Sequence, residues 1–258
     1  MRQDFMTQKR IFLPFLLLFL LLFASCREEI NHEYDSITIF ETAWDILDTK
    51  YCFFKEKNVD WDKLHNDYLA KIKKDTPQDS LFYIIGSMIC ELKDGHVNLY
   101  SSKDVIRYWK WFADYPVNFD EKLEDIYLGK NYSISSGICY TTIKGDIGYL
   151  TYRNFSSGVN DNGLDHILTK YQNSPGIIID IRNNTGGDLS NVDKIACRFT
   201  ETGFTSGYIS HKTGPGHNDF SELYPVRIEP SERVRYKGKV VVLANRSCYS
   251  AANFFVAV

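Results

Sequence analysis

Two short stretches of this chain carry the residues from which acyl-transfer chemistry could be built. Residues 176–188 read Gly-Ile-Ile-Ile-Asp-Ile-Arg-Asn-Asn-Thr-Gly-Gly-Asp, and residues 239–253 read Lys-Val-Val-Val-Leu-Ala-Asn-Arg-Ser-Cys-Tyr-Ser-Ala-Ala-Asn. In each, a β-branched apolar run that reads as a buried strand gives way to small and polar residues where a helix should begin, the place where α/β proteins put their chemistry. Acyl transfer needs a hydroxyl activated by a base, and fixed N–H donors for the oxyanion of the tetrahedral intermediate. Ser250, on the first turn after the second run and followed by Ala251 and Ala252, meets the first demand. Gly186 and Gly187 meet the second, because glycines let the backbone aim its amides outward and let a substrate approach closely. Each feature has a plainer reading. Ser250 could be only a helix N-cap, and a tight turn would also use two glycines.

These segments need a scaffold, and the pattern of the chain supplies one. Residues 36–92 have helical spacing: Ile37, Phe40, Trp44 and Leu47 share a face, as do Leu64, Tyr68 and Ile72, then Leu81, Ile85, Met88 and Leu92, with Asp60 and Asp79 placed as N-caps. From residue 101 to 145 the aromatics Tyr108, Trp109, Trp111, Phe112, Tyr115 and Phe119 crowd together without a period, so this is a connecting or sheet-forming region. A strand over 147–152, a helix over 159–171, a buried strand over 177–181, a second helix over 189–199 and a strand over 240–243 follow, with Ser250 opening a last helix. Alternating strands and helices predict an α/β fold with a largely parallel sheet and right-handed crossovers.

The beginning of the chain stands apart. Lys9 and Arg10 precede an apolar run over residues 11–24, too short for a stable membrane span and suited to a secretory signal. Leu22-Phe23-Ala24-Ser25-Cys26 resembles the lipobox of bacterial lipoproteins, which implies an acylated Cys26 and an exported protein held to the cell envelope by its lipid. The organisation expected is a signal over 1–25, a linker over 26–35, a helical subdomain over 36–100, a connector over 101–145 and an α/β core over 146–258. A net charge of −3 leaves no basic footprint for nucleic acid. Cys52, Cys90, Cys139, Cys197 and Cys248 are scattered and form no C-x-x-C pair, so no zinc knuckle is indicated and no cofactor is called for. His211, His217 and Asp219 surround a Gly/Pro stretch that fixes no ligand geometry and reads as a flexible surface loop. His65 and His166 lie on charge-rich helical stretches and read as solvated.

Asp180-Ile-Arg182-Asn-Asn184-Thr-Gly186-Gly187 resembles the D-[LIV]-R-x-N-x-G-G motif of the S41 peptidases, the family of carboxyl-terminal processing (tail-specific) and tricorn-like proteases. Ser250-Ala251 after its apolar strand is similar to that family's nucleophile segment, and Asp94-Gly95-His96 resembles the D-G-H-T motif of the tricorn-like branch. The resemblance implies a ClpP/crotonase-like β-β-α core and hydrolysis of peptide bonds in unfolded or C-terminal segments. It also implies Ser250 as nucleophile, His96 as base, and the amides of Gly187 (or Gly186) and Ala251 as oxyanion donors. Asp180 and Arg182 would brace the glycine turn, and Asp94 would support the histidine.

Departures from the pattern qualify these expectations. The interval from 100 to 146 is too short for the complete PDZ domain many relatives carry. Val97 stands where the motif has threonine, and Asn253 where relatives commonly have glutamate. The sequence ends at Val258, ahead of the lysine or glutamate that the two branches use downstream of the serine, which suggests a truncated chain. A second expectation is therefore a catalytically silent lipoprotein module that binds a peptide or hydrophobic ligand in an S41-like groove.

Overall fold

The computed structural model describes residues 34–110, 113 and 115–258, so the leader and Cys26 lie outside the described residues. The described residues open with four helices: α1 (Ser36–Lys50), α2 (Phe54–Lys57), α3 (Trp61–Leu69) and α4 (Gln78–Cys90). Asp35 and Asp60 begin α1 and α3 by accepting the amides of Thr38 and Lys63 at 3.0 and 2.9 Å, satisfying donors the first turn leaves unpaired. Asp79 is not a cap: Pro77, in extended conformation, precedes α4 and puts Asp79 in the first turn. The apolar faces of these helices bury Phe40, Trp61, Tyr68, Leu81, Ile85, Met88 and Leu92 in a core of their own. His65 departs from its solvated reading. Half-buried, it lies against Phe40 and Trp44 and bonds Glu41 at 2.8 Å.

Beyond α4 a tight turn, with Lys93 at a positive φ of 49°, leads through Asp94 and His96 into β1 (Asn98–Tyr100), which pairs antiparallel with β2 (Val105–Arg107). After α5 (Glu121–Leu128) the main sheet forms in the order β3 (Ser133–Ser135), β4 (Ile138–Ile143), β5 (Ile147–Thr151), β6 (Gly176–Asp180) and β9 (Lys239–Leu243). The β3–β4 and β4–β5 pairs are antiparallel, and the β5–β6 and β6–β9 pairs parallel. The sheet is therefore mixed rather than largely parallel, because residues 133–143, within the stretch expected to be a connector, supply two of its strands. The helix α6 (Asp161–Lys170) links β5 to β6; α7 (Leu189–Ala196) and the hairpin β7 (Phe204–Ile209)–β8 (Tyr224–Ile228) lie between β6 and β9.

The central strand β6 buries Ile177 and Ile179 on one face, and its other face carries Gly176, half-buried Ile178 and the buried carboxylate of Asp180. Leu164, Ile167, Val192, Ile195 and Phe255 complete the core from α6, α7 and the last helix, α8 (Ala251–Ala257). Arg198, fully buried, ties this layer together by donating to Asp161, Asp165 and the carbonyl of Val234. The β7–β8 loop is anchored rather than free: His217 bonds Asp48 at 2.7 Å and its ring packs on Phe54 at 4.5 Å. Among the described residues no cluster of metal-ligating side chains is present, and the five cysteines are unpaired thiols.

Candidate active site

The parallel pairing of β6 and β9 sets Asp180 opposite Leu243, so the loops that leave the two strands emerge side by side. They are then joined atom by atom. Cys248 Sγ lies 3.0 Å from the carbonyl of Ile181, Asn183 and Asn245 exchange hydrogen bonds of 2.9 and 2.7 Å, and the Tyr249 amide donates to the Asn184 carbonyl at 3.1 Å. Asn184 is fully buried and does more with its side chain. Its Nδ2 donates to the Tyr152 carbonyl at 2.7 Å, and its Oδ1 accepts the Gly186 amide at 2.8 Å. Beneath it, Asp180 accepts Tyr149 Oη at 2.7 Å and three donors of Arg182, its main-chain amide, Nε and Nη2. Burial alone would raise the Asp180 carboxyl, but the bonds from Arg182 and Tyr149 outweigh it and hold Asp180 ionised, below the usual carboxylate range. Asp180 and Arg182 thus satisfy one another under the turn.

The glycines have positive φ, 87° at Gly186 and 144° at Gly187. A Cβ at Gly186 would stand 2.4 Å from the Tyr249 carbonyl oxygen, 2.7 Å from Ser250 Cβ and 3.0 Å from the Ala251 nitrogen. The glycine turn and the serine turn therefore touch backbone to backbone, which only a residue without a side chain permits. Because the Gly186 amide is engaged by Asn184, it is not an available oxyanion donor, contrary to the alternative left open by the sequence. The amides of Gly187 and Ala251 have no acceptor among the described residues.

Ser250 is exposed and adopts φ 54°, ψ −123°, a region that costs a residue with a Cβ about 1–3 kcal/mol. Its carbonyl accepts the Phe254 amide at 3.1 Å, yet its hydroxyl makes no capping bond. A serine serving as an N-cap would have extended backbone and a bonded hydroxyl, so the plainer reading does not describe it. Strain of this kind persists where a tight strand-to-helix turn holds a side chain out for use. Ser250→Gly should therefore stabilise the fold by about 1 kcal/mol, the strain released less the roughly 0.4–1 kcal/mol that glycine's freer unfolded chain costs. The midpoint of denaturant unfolding at constant slope measures this; an unmoved or lowered midpoint would show the turn to be relaxed.

His96 reaches this corner from the helical part of the chain. Its main-chain amide and Nδ1 lie 2.9 and 3.2 Å from Asp94 Oδ1, while Tyr51 Oη donates to Asp94 Oδ2 at 2.9 Å. Burial pushes the Asp94 carboxyl up, but these bonds more than offset it, so it lies below its ordinary value. The imidazole stacks on Tyr249 at 4.3 Å with 23° between the rings, and Tyr249 Oη lies 2.5 Å from Nδ1. The structure thus brings His96 to the residue before Ser250. No hydrogen bond between His96 and Ser250 is present among the described residues. Tyr249 and Tyr51 were not singled out from sequence as parts of the site, since an aromatic beside a serine reads as core, and Asn184 entered only as a position of the motif, with no role, because a buried asparagine in a loop carries no periodic signal.

The family model of peptidase family S41 matches residues 146–258, and that of the tricorn protease C1 domain matches residues 34–90. The crystal structure of a "putative peptidase" from Parabacteroides merdae is 45% identical, with a TM-score of 0.82, over 87% of this chain and 71% of that one. The chain belongs to peptidase family S41. Membership places it with the peptide-bond hydrolases, and its five-stranded mixed sheet with N-terminal helices is the fold of S41 proteases. Two structures of mature CPAF, one complexed with lactacystin, share that fold at 11% identity. Their TM-scores are 0.57 and 0.54, covering 86% of this chain and 80% and 81% of theirs. None of the curated proteins matches the chain. Of the S41 chain's candidate residues, Asp180 to Gly187 and Ser250 fall inside the matched segments, whereas Asp94 and His96 lie between them.

Proposed function

We propose that this S41 chain is a serine endopeptidase that cuts unfolded or C-terminal peptide segments through an acyl-enzyme. The observation that carries the reading is the exposed, strained Ser250 held against Gly186, a geometry with no use in a helix cap. In the proposed mechanism Ser250 Oγ attacks the peptide carbonyl and its proton passes to His96. The tetrahedral oxyanion is received by the Gly187 and Ala251 amides. The imidazolium then returns the proton to the leaving amine as the C–N bond breaks, and a water activated by the same ring hydrolyses the ester. An imidazole suits both transfers because its ordinary pKa lies near neutrality. The absence of a direct His96–Ser250 bond is compatible with this, since such bonds in substrate-free sites are commonly long and tighten on binding.

The test is cleavage of casein by the full chain and by His96→Ala. The variant should lose about 10²- to 10⁴-fold in kcat with KM changed no more than a few-fold. An unchanged kcat would remove His96 from the mechanism.

A further inference from the structure

We propose that Tyr249 is a positioning residue for His96: its hydroxyl, against the imidazole Nδ1 that also faces Asp94, fixes the ring in the tautomer that leaves Nε2 as the base. The inference rests on the serine-peptidase reading above.

A neutral imidazole carries one proton, and which nitrogen holds it is set by the partner of the other. Here Nδ1 faces two oxygens, Tyr249 Oη at 2.5 Å and Asp94 Oδ1 at 3.2 Å. An ionised carboxylate can only accept, and Asp94 is held ionised by Tyr51 and by the His96 main-chain amide. Asp94 Oδ1 draws the ring proton to Nδ1, and Tyr249 Oη meets that N–H with a lone pair, so both oxygens facing Nδ1 act as acceptors. The proton of neutral His96 then belongs on Nδ1 and the lone pair on Nε2. Burial and the Asp94 charge push the Tyr249 phenol up to about 12, so it stays protonated throughout the working range.

Asp94 alone would do this poorly. Its contact is the longer one, and the His96 side chain is 58% exposed, where water competes for Nδ1. The stacked phenol covers one ring face and supplies the shorter bond. Tyr249 is also bonded covalently to Ser250, so the orientation of the base is referred to the backbone of the nucleophile itself. The other charged group acting on this pair is Arg107 of β2, whose charge opposes that of Asp94 at Tyr249.

Tyr249→Phe keeps the stacked ring and removes the hydroxyl. The experiment is nitrogen NMR of the full chain labelled with ¹⁵N-histidine, with His96 assigned through His96→Gln, alongside casein turnover. In the wild type, neutral His96 should show a protonated Nδ1 and an unprotonated Nε2. In Tyr249→Phe the two signals should move toward each other as tautomers mix. The kcat should fall about tenfold with KM within twofold, a fraction of what a general base supplies. The acid limb of the kcat/KM profile should shift to lower pH, because an acceptor that stabilises imidazolium is gone. His96 signals and a pH profile identical to wild type in Tyr249→Phe would overturn the positioning role. Retained cleavage in Ser250→Ala would instead overturn the serine reading beneath it.

Discussion

Ser250→Ala should lower cleavage of an unfolded protein by about 10⁴- to 10⁶-fold, the loss typical when a nucleophile acting with its base is removed. Its stability should hardly change, because alanine keeps a Cβ in the same strained turn, at φ 54° and ψ −123°. Ser250→Ala and Ser250→Gly thus separate two properties of one position. Both remove the hydroxyl and should be equally inactive, but only glycine relaxes the backbone. Catalysis measured with casein and stability measured by denaturant unfolding should diverge in this pattern. Residual turnover within tenfold of wild type in either variant would mean that another group attacks the peptide bond.

The second large effect is expected at Gly186. A methyl group there meets the Tyr249 carbonyl oxygen, Ser250 Cβ and the Ala251 nitrogen, none of which is the free end of a flexible side chain. The serine turn must retreat or the glycine turn must buckle. Overpacking costs about 1–3 kcal/mol and a positive φ for a residue with a Cβ a similar amount, so Gly186→Ala should destabilise the fold by roughly 2–5 kcal/mol. Activity should fall by at least about 10²-fold even under conditions where the variant is folded, since a displacement near 1 Å is enough to misplace a nucleophile. Gly129→Ala is the matched control. Gly129 also has positive φ, 66°, but nothing lies within 4 Å of the added methyl, so it carries the conformational cost without the collision. Equal effects of the two substitutions on activity would show that contact between the turns is not what Gly186 provides.

What could be read before the fold was known followed from physical signal strength. The strands β6 and β9 are β-branched runs bounded by turns, although β9, expected to be buried, leaves Val241 and Val242 exposed, and the apolar spacing of α1, α3 and α4 matches the faces buried in their core. The antiparallel half of the sheet was less legible. The edge strand β3 is three residues long and largely exposed, and β4 mixes buried Ile138 and Tyr140 with Thr141 and Thr142, so neither yields a clear alternation. At the site, Ser250 and the glycines were visible because small residues after a strand are informative in themselves. Their mutual contact was an inference from order alone, which the positive φ values and the crowding around Gly186 now give a geometry. Roles set by distant partners left no local trace. Asn184 acts by joining Tyr152, Gly186 and Tyr249, and His217 by finding Asp48, 169 residues away. The choice between Gly186 and Gly187 as oxyanion donor likewise depended on where Asn184 Oδ1 points.

The central claim is that Ser250 is a nucleophile presented to solvent beside main-chain donors. Labelling of the full chain with a serine-directed fluorophosphonate, with the adduct mapped by mass spectrometry, tests it most directly. The account predicts a single dominant adduct on Ser250, absent from Ser250→Ala and strongly slowed in His96→Ala. An unlabelled Ser250 in the folded wild-type chain, or undiminished labelling of Ser250→Ala at another residue, would contradict it.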